Sequence, residues 1–255
     1  MSIIKLPSGA IIEIRGLRGK EGKLLSDKEA IKSGTFLDKI LNACTIGVTD
    51  PGPYTTVTGA PLIPGGPARE TLDWTKVLVG DRFFALIQIR VLTLGELFVF
   101  KLQCGEEVCR KGFEQEISLL KDLEVRCLSD ADRAQFSAGN LFVAKDRNGK
   151  TIKYRLPIGK DEVAASRAGS SMDGAFMMAL LQRIVEIEGQ EIPRIYLEEC
   201  EFGACLELLE IFDEHNCGVK TEIEIECPHC GGLQDIQLPF GRGFFVPTKK
   251  ATPKS

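Results

Sequence analysis

The chain has 255 residues, a mass of 28.0 kDa and a formal net charge of −4. This length predicts one large or two small domains with a sizeable core, and a composition of 44% hydrophobic and 27% charged residues excludes a mostly disordered protein. The net negative charge disfavours a nucleic-acid coat or a basic membrane-surface protein. No apolar run reaches the ~18 residues of a membrane span. The N-terminus lacks a signal-peptide pattern, and this predicts a protein made in a cytosol.

The first third of the chain is predicted to hold a hairpin, helices and an irregular arm. Apolar residues flank a Pro-Ser-Gly turn within 2–15, which predicts a β-hairpin, and residues 35–45 show helical spacing. Residues 47–72 contain five prolines, whose fixed φ and missing donors predict no regular structure. We therefore divide this part into an N-terminal unit of hairpin and helices, residues 1–46, and a Pro/Gly-rich arm, residues 47–72.

Residues 73–246 are predicted to form an α+β body, followed by a flexible tail, residues 247–255. The predicted elements of the body are a buried helix at 73–93 with Asp73 as N-cap, a strand at 96–103, an alternating segment at 113–127, a hairpin at 141–156 around Asn148-Gly149, a helix at 173–188 opened by Asp173, an acidic helix pair or broken helix at 194–214, and a strand at 219–226.

Four of the nine cysteines lie in two similar units, each built as strand, cysteine pair, glycine and strand. The pairs are Cys104-x4-Cys109 and Cys227-x2-Cys230. Clustered cysteines in a cytosolic chain hold a metal more often than a disulfide framework, and two knuckles can supply four thiolates in the tetrahedron that structural zinc prefers. The pattern therefore predicts one structural zinc ion bound by these four residues. A disulfide within or between the pairs, or four unpaired thiols, are the alternatives.

Three further motifs have weaker support. Cys-Pro-His-Cys (227–230) matches the active site of a family of periplasmic thiol oxidases, but a strand pattern follows it where that chemistry needs a helix N-terminus. The segment 144–151 matches a relaxed phosphate-binding loop, but the residues from Thr151 onward alternate as a strand does. A second cluster is most simply interpreted as cysteines of which some are buried as small apolar residues, rather than as a second metal site. Its members are Cys200, Cys205, His215 and Cys217.

The order of several motifs resembles the T-even-type baseplate protein family of contractile-tailed phages and contractile injection systems. The matching parts cover roughly residues 2–44, 76–120 and 173–246, whereas residues 47–72 and 128–172 look like insertions. The motifs are LPSG (6–9) with IEIR (12–15), GKEGKLLSDKEAIKSG (19–34), LVGDR (78–82), FDEHNCGV (212–219), TEIEIECPHCGG (221–232) and QLPFGRGFF (237–245).

The resemblance implies a structural component of the tail baseplate, in or near its central hub, or a factor that assembles the hub. It implies a split zinc ribbon with ligands Cys104, Cys109, Cys227 and Cys230, although the x4 spacing of the first pair departs from the usual two residues and requires a wider turn. It further implies a non-enzymatic protein, located in the virion tail after assembly in the host cytoplasm. Its partners would be other baseplate, tube or spike proteins in a large symmetric assembly.

Two other functions compete with this interpretation. A zinc-ribbon nucleic-acid-binding or regulatory protein would need basic and aromatic residues around the knuckles, but the sequence has glutamates there. A thiol-disulfide oxidoreductase would need a helix that begins at the cysteine pair, but a strand pattern follows Cys230. For an assembly protein we expect exposed apolar contacts, and the PFGRGFF segment (239–245) is the first candidate. The alternative is that its phenylalanines cap the protein's own sheet.

Overall fold

Two hydrophobic cores organise the fold in the computed structural model, which describes residues 1–61, 65–168, 172–239 and 242–245. These residues contain helices and small antiparallel sheets, as the α+β prediction requires. The strands are β1 Ser2–Lys5, β2 Ile11–Ile14, β3 Thr45–Asp50, β4 Thr56–Gly59, β5 Arg69–Leu72, β6 Leu97–Gln103, β7 Gly112–Ser118, β8 Val125–Arg126, β9 Phe142–Lys145, β10 Thr151–Tyr154, β11 Ile184–Ile187, β12 Gly218–Val219, β13 Glu222–Glu226 and β14 Leu233–Gln237.

The helices connect these strands and cover both cores. A 3₁₀ helix spans Gly19–Ser26. The α-helices are α1 Lys28–Lys32, α2 Phe36–Cys44, α3 Val79–Leu94, α4 Asp130–Ser137, α5 Gly159–Ala168, α6 Met172–Leu181, α7 Pro193–Glu199, α8 Phe202–Glu214 and α9 Arg242–Phe245.

The first core joins the N-terminal sheet, helices α2 and α3, and the two cysteine-bearing hairpins. The predicted N-terminal hairpin is confirmed: β1 pairs with β2 from Ser2↔Ile14 to Lys5↔Ile11, and β3 adds a third strand. Because strand side chains alternate between faces, β2 buries Ile12 and Ile14 completely. Helix α3 lies along this core through its buried Leu86 and Ile89.

The second core contains the sheet β11-β10-β9 and helices α6, α7 and α8. The predicted hairpin around Asn148-Gly149 is confirmed by the pairing of β9 with β10, from Thr151↔Lys145 to Tyr154↔Phe142. Tyr154 of β10 is fully buried and stacks on Phe212 of α8, with ring centroids 4.1 Å apart. The segment 128–172, which we interpreted as an insertion, therefore supplies much of this core.

The prediction that the arm lacks regular structure is wrong. Residues 47–72 contain the end of β3 and the hairpin of β4 and β5, which pair from Thr56↔Leu72 to Gly59↔Arg69. The prolines at 51, 53, 61 and 67 lie between these strands, so they bound the strands instead of preventing them. Tyr54 points inward and donates a hydrogen bond to Asp81 at 2.7 Å. Residues 62–64, which include Leu62 and Ile63, lie outside the described residues.

Two predicted helices also have different limits. Asp73 does not cap a helix: its carboxylate accepts from Thr75, and helix α3 starts only at Val79. The reason is tertiary, because the N–H of Val79 donates to Pro157 and the carbonyl of Val77 accepts from Gly159. The predicted helix at 173–188 ends at Leu181.

The C-terminal half of that predicted helix is a strand. Ile184–Ile187 forms β11 because its β-branched residues complete the sheet against β10. By contrast, the acidic segment 194–214 does form two helices, α7 and α8.

The expectation that the PFGRGFF segment exposes its phenylalanines is wrong for Phe244 and Phe245. Both rings are buried, and Phe244 contacts Phe98 of β6 edge to face with centroids 5.1 Å apart. Arg90 of α3 donates to the carbonyl of Phe244 at 3.2 Å, which fixes α9 against the core. Phe240 and the tail at 247–255 lie outside the described residues.

Candidate metal centre

Two β-hairpins carry the four predicted ligands. In the first, β6 and β7 pair from Leu97↔Ser118 to Gln103↔Gly112, and the connecting loop holds Cys104 and Cys109. In the second, β13 and β14 pair from Glu222↔Gln237 to Glu226↔Leu233, and their loop holds Cys227 and Cys230. The predicted repeat of strand, cysteine pair and strand is therefore confirmed, and the two loops face each other.

The first loop accommodates its wider spacing by an extra turn of backbone. The N–H of Cys104 donates to the carbonyl of Lys111 at 3.0 Å, which closes the hairpin above the last strand pair. Inside the loop, the N–H groups of Cys109 and Arg110 both donate to the carbonyl of Glu106, at 3.0 and 3.1 Å. Arg110 adopts a φ of +46°. The turn thus brings Cys109 back towards Cys104 despite four intervening residues.

The second loop is a tighter knuckle. The N–H of Cys227 donates to the carbonyl of Gly232, and the N–H of Gly231 donates back to the carbonyl of Cys227, both at 2.9 Å. Gly231 has a φ of +75°, a left-handed conformation in which a Cβ would be strained. The glycine after Cys230 therefore has a defined role, since it lets the backbone fold around the cysteine pair.

The sulfur atoms have the spacing of a tetrahedral thiolate site. Cys104 Sγ lies 3.7 Å from Cys230 Sγ, Cys109 Sγ lies 3.9 Å from Cys227 Sγ, and all four lie within 4.8 Å of one another. A tetrahedron with metal–sulfur bonds of about 2.3 Å has sulfur–sulfur edges of about 3.8 Å. A disulfide requires about 2.05 Å. The four cysteines can therefore hold a metal ion, and they are free thiols in this geometry.

Burial and backbone donors act on the thiols in opposite directions. Burial raises the pKa of Cys104 to about 12. Burial also acts on Cys227, but the backbone N–H groups of His229 and Cys230 hydrogen-bond its sulfur, and the pKa of Cys227 falls to about 7. The backbone N–H groups of the second knuckle therefore favour the thiolate form of Cys227, and the thiolate is the form in which cysteine binds metals.

The two loops differ in their contact with solvent. Cys104 and Cys227 are buried, whereas Cys109 is half-buried and Cys230 is exposed. An open cleft of about 380 Å³ lies beside these last two residues and is also lined by Val108 and His229. Four cysteine ligands complete a tetrahedron, so the arrangement suits a structural site and leaves no coordination position for a reacting water.

The second predicted cluster is not brought together. Cys205 donates to the carbonyl of Leu197 at 3.7 Å, Cys217 donates to Asp81 at 3.8 Å, and His215 contacts Asp132 at 2.7 Å. In the part of the chain that the structure describes, the four knuckle cysteines form the only group of potential metal ligands. The interpretation that some of these thiols are buried is confirmed for Cys205 and Cys217, and burial raises the pKa of both thiols.

The structural requirements of the two weaker motifs are also absent at these positions. Cys230 is followed by β14, and the segment from Thr151 onward is β10. In these described segments, the Cys-Pro-His-Cys sequence does not lie at a helix N-terminus, and the 144–151 loop leads into a strand and not into a helix.

Sequence reasoning missed a buried junction around Asp81. This carboxylate is completely buried, and it accepts hydrogen bonds from the N–H and hydroxyl of Ser8 and from the hydroxyl of Tyr54. Burial raises its pKa, and these donors oppose that effect only in part. The junction joins the N-terminal hairpin, the arm and the start of α3 to the α8–β12 turn at Cys217.

Glycines allow this junction to close. A Cβ on Gly80 would lie only 1.8 Å from the carbonyl oxygen of Cys217, and Gly218 is equally restricted, with a φ of +133°. The LVGDR and FDEHNCGV segments, which are distant in sequence, therefore meet at two glycines. The sequence signals for this contact were the glycine in each segment and the acidic residue Asp81. No hydrophobic periodicity in the sequence predicted that the two segments meet.

Comparison with known proteins gives no match among family models, curated proteins or solved structures. Among the described residues, no helix has both the length and the apolar character that a membrane span needs.

Proposed function

We propose that this protein is a structural component of a contractile-tail baseplate, in or near its hub, or a factor that assembles the hub. It acts through protein–protein contacts, and one zinc ion joins its two cysteine-bearing hairpins. The ligands are Cys104, Cys109, Cys227 and Cys230. Its partners are other baseplate, tube or spike proteins of a large symmetric assembly, and its location is the virion tail after assembly in the host cytoplasm.

The observation that carries the zinc proposal is the sulfur geometry. The cross-knuckle distances of 3.7 and 3.9 Å fit the edge of a zinc tetrahedron and are far too long for disulfides. Zinc favours four thiolates in this geometry, and the N–H groups at Cys227 stabilise the thiolate form. A zinc ion would join two hairpins separated by more than a hundred residues, which is a structural role.

The baseplate proposal rests on the motif order, and the fold gives it physical support. The LVGDR and FDEHNCGV motifs meet at the Gly80–Gly218 contact, so two of the motifs that carry the resemblance adjoin in space. The knuckle hairpins carry exposed glutamates on their outer faces, among them Glu116 and Glu224. This charge favours protein partners over nucleic acid. We propose no catalytic activity and no nucleic-acid or membrane-spanning partner.

The test is assembly in cells that produce the contractile tail encoded with this chain. Removal of the chain should leave no complete baseplates in electron micrographs. The affinity-tagged chain should recover hub, spike, tube or wedge proteins identified by mass spectrometry. Normal tails in the absence of the chain, together with recovery of the tagged chain free of tail proteins, would contradict the proposal.

A further inference from the structure

An exposed aromatic patch lies on the second core, away from the metal centre. Phe202 opens helix α8, yet 65% of its surface is exposed. Its ring contacts Phe176 of α6 in a tilted arrangement with centroids 4.9 Å apart, so side chains of two helices form the patch. Leu206, one turn further along α8, is 42% exposed. We call Phe176, Phe202 and Leu206 the Phe202 patch.

The segment of the chain that carries Phe202 and Leu206 is strongly acidic. Residues 184–214 contain ten of the chain's 36 acidic residues and only one basic residue, Arg194. Helix α8 continues the line of Phe202 and Leu206 with the exposed Glu210, since positions i, i+4 and i+8 share a helix face. Glu199 precedes the patch and is exposed as well.

Internal ion pairs neutralise only part of this charge. Arg147 pairs with Glu201 and Glu207, and three other basic side chains each pair with one acidic residue of the segment. These are Lys153 with Glu186, Arg183 with Asp213, and Arg194 with Glu198. Ten acidic side chains thus have four basic partners in the described structure, and the surface keeps an excess of negative charge.

From this arrangement we propose that the Phe202 patch is a docking site for a basic amphipathic segment of a partner protein. Apolar side chains of the partner would cover Phe202 and Leu206, while its Lys or Arg residues would face Glu199 and Glu210. Exposed aromatic residues are typical anchors of interfaces, and complementary charge selects the partner and speeds its association. The inference rests on the proposed function, because it names the chemistry of one contact of an assembly protein.

The experiment uses a fluorescent synthetic peptide of about 14 residues, made of Leu and Lys in the pattern of an amphipathic helix. We expect saturable binding to the full chain by anisotropy, with an affinity that falls as salt rises. The variant with Phe202→Ser and Leu206→Ser should bind about tenfold more weakly or worse. The matched control is Val143→Ser, which removes an exposed apolar residue from β9 and should bind as the native chain does.

A second variant keeps the proposal testable if the serine substitutions disturb folding. Glu199→Lys with Glu210→Lys removes no apolar surface and should also weaken binding about tenfold. Absence of binding to the native chain, equal binding of the matching Leu/Glu peptide, or unchanged binding by both variants would overturn the proposal. Such a failure would leave tail co-purification and metal binding intact, whereas failure of the baseplate proposal would leave peptide binding unchanged.

Discussion

Cys104 and Cys230 are separated by more than a hundred residues, yet their sulfur atoms lie 3.7 Å apart. This distance is far longer than a disulfide bond and matches the edge of a tetrahedral thiolate site, and the Cys109–Cys227 pair repeats it at 3.9 Å. Each close contact joins one knuckle to the other. A metal bound at this point would therefore tie the β6–β7 hairpin to the β13–β14 hairpin.

Loss of one ligand should destabilise both hairpins. Cys227→Ser removes a buried ligand, and because metal binding is coupled to folding, we expect the melting temperature to fall by about 5–10 °C. Differential scanning calorimetry measures this change. Cys127→Ser, at an exposed cysteine outside the site, is the matched control and should melt as the native protein does. Identical melting of the Cys227 variant and the native protein would show that the site has no structural role.

The glycine contact at the α3 N-terminus should tolerate no side chain. In Gly80→Ala, the new Cβ would approach the carbonyl oxygen of Cys217 to 1.8 Å, and the backbone must move to relieve this. We expect a loss of at least about 3 kcal/mol in the free energy of unfolding, measured by urea titration. Gly22→Ala is the control, since a Cβ there meets no atom within 4 Å. Equal stability of the two variants would refute the close approach.

Asp81 should make stability depend on pH. Because burial raises its folded pKa above the ordinary value of 3.8, the folded state favours the protonated acid. The contribution of Asp81 to stability is therefore complete below pH ~4 and declines as the pH rises through the folded pKa. Thermal melts of the native protein and of Asp81→Asn between pH 4 and 8 should show the native protein losing stability relative to the variant as pH rises. Parallel profiles would contradict the assignment.

The C-terminal phenylalanines should stabilise the isolated monomer. Phe244 and Phe245 are 1% and 5% exposed, so replacing both with serine opens a cavity beside Phe98. We expect the free energy of unfolding to fall by more than about 3 kcal/mol. The comparison is Phe202→Ser, where the ring is exposed and the melting temperature should change little. A double variant that melts normally but fails to assemble would contradict this prediction and would place both rings at a contact with a partner protein.

The sequence was most informative where local pattern and tertiary structure agree. Strict alternation in 219–226 and the glycine after Cys230 predicted both the second hairpin and its cysteine knuckle, although the strand β13 itself begins only at Glu222. Prediction failed where long-range partners decide the structure. The start of α3 depends on hydrogen bonds to Pro157 and Gly159, and the burial of Phe244 depends on Phe98 and Arg90. The prediction for the arm, residues 47–72, failed because the sequence alone does not distinguish prolines that end a strand from prolines that prevent one.

The most direct test of the central claim is X-ray absorption spectroscopy of freshly purified, reduced protein at the zinc edge, together with elemental analysis. The account predicts one zinc ion per chain with four sulfur neighbours at about 2.3 Å, and loss of this signal in Cys227→Ser. Metal-free protein, or zinc bound mainly by nitrogen and oxygen, would contradict it.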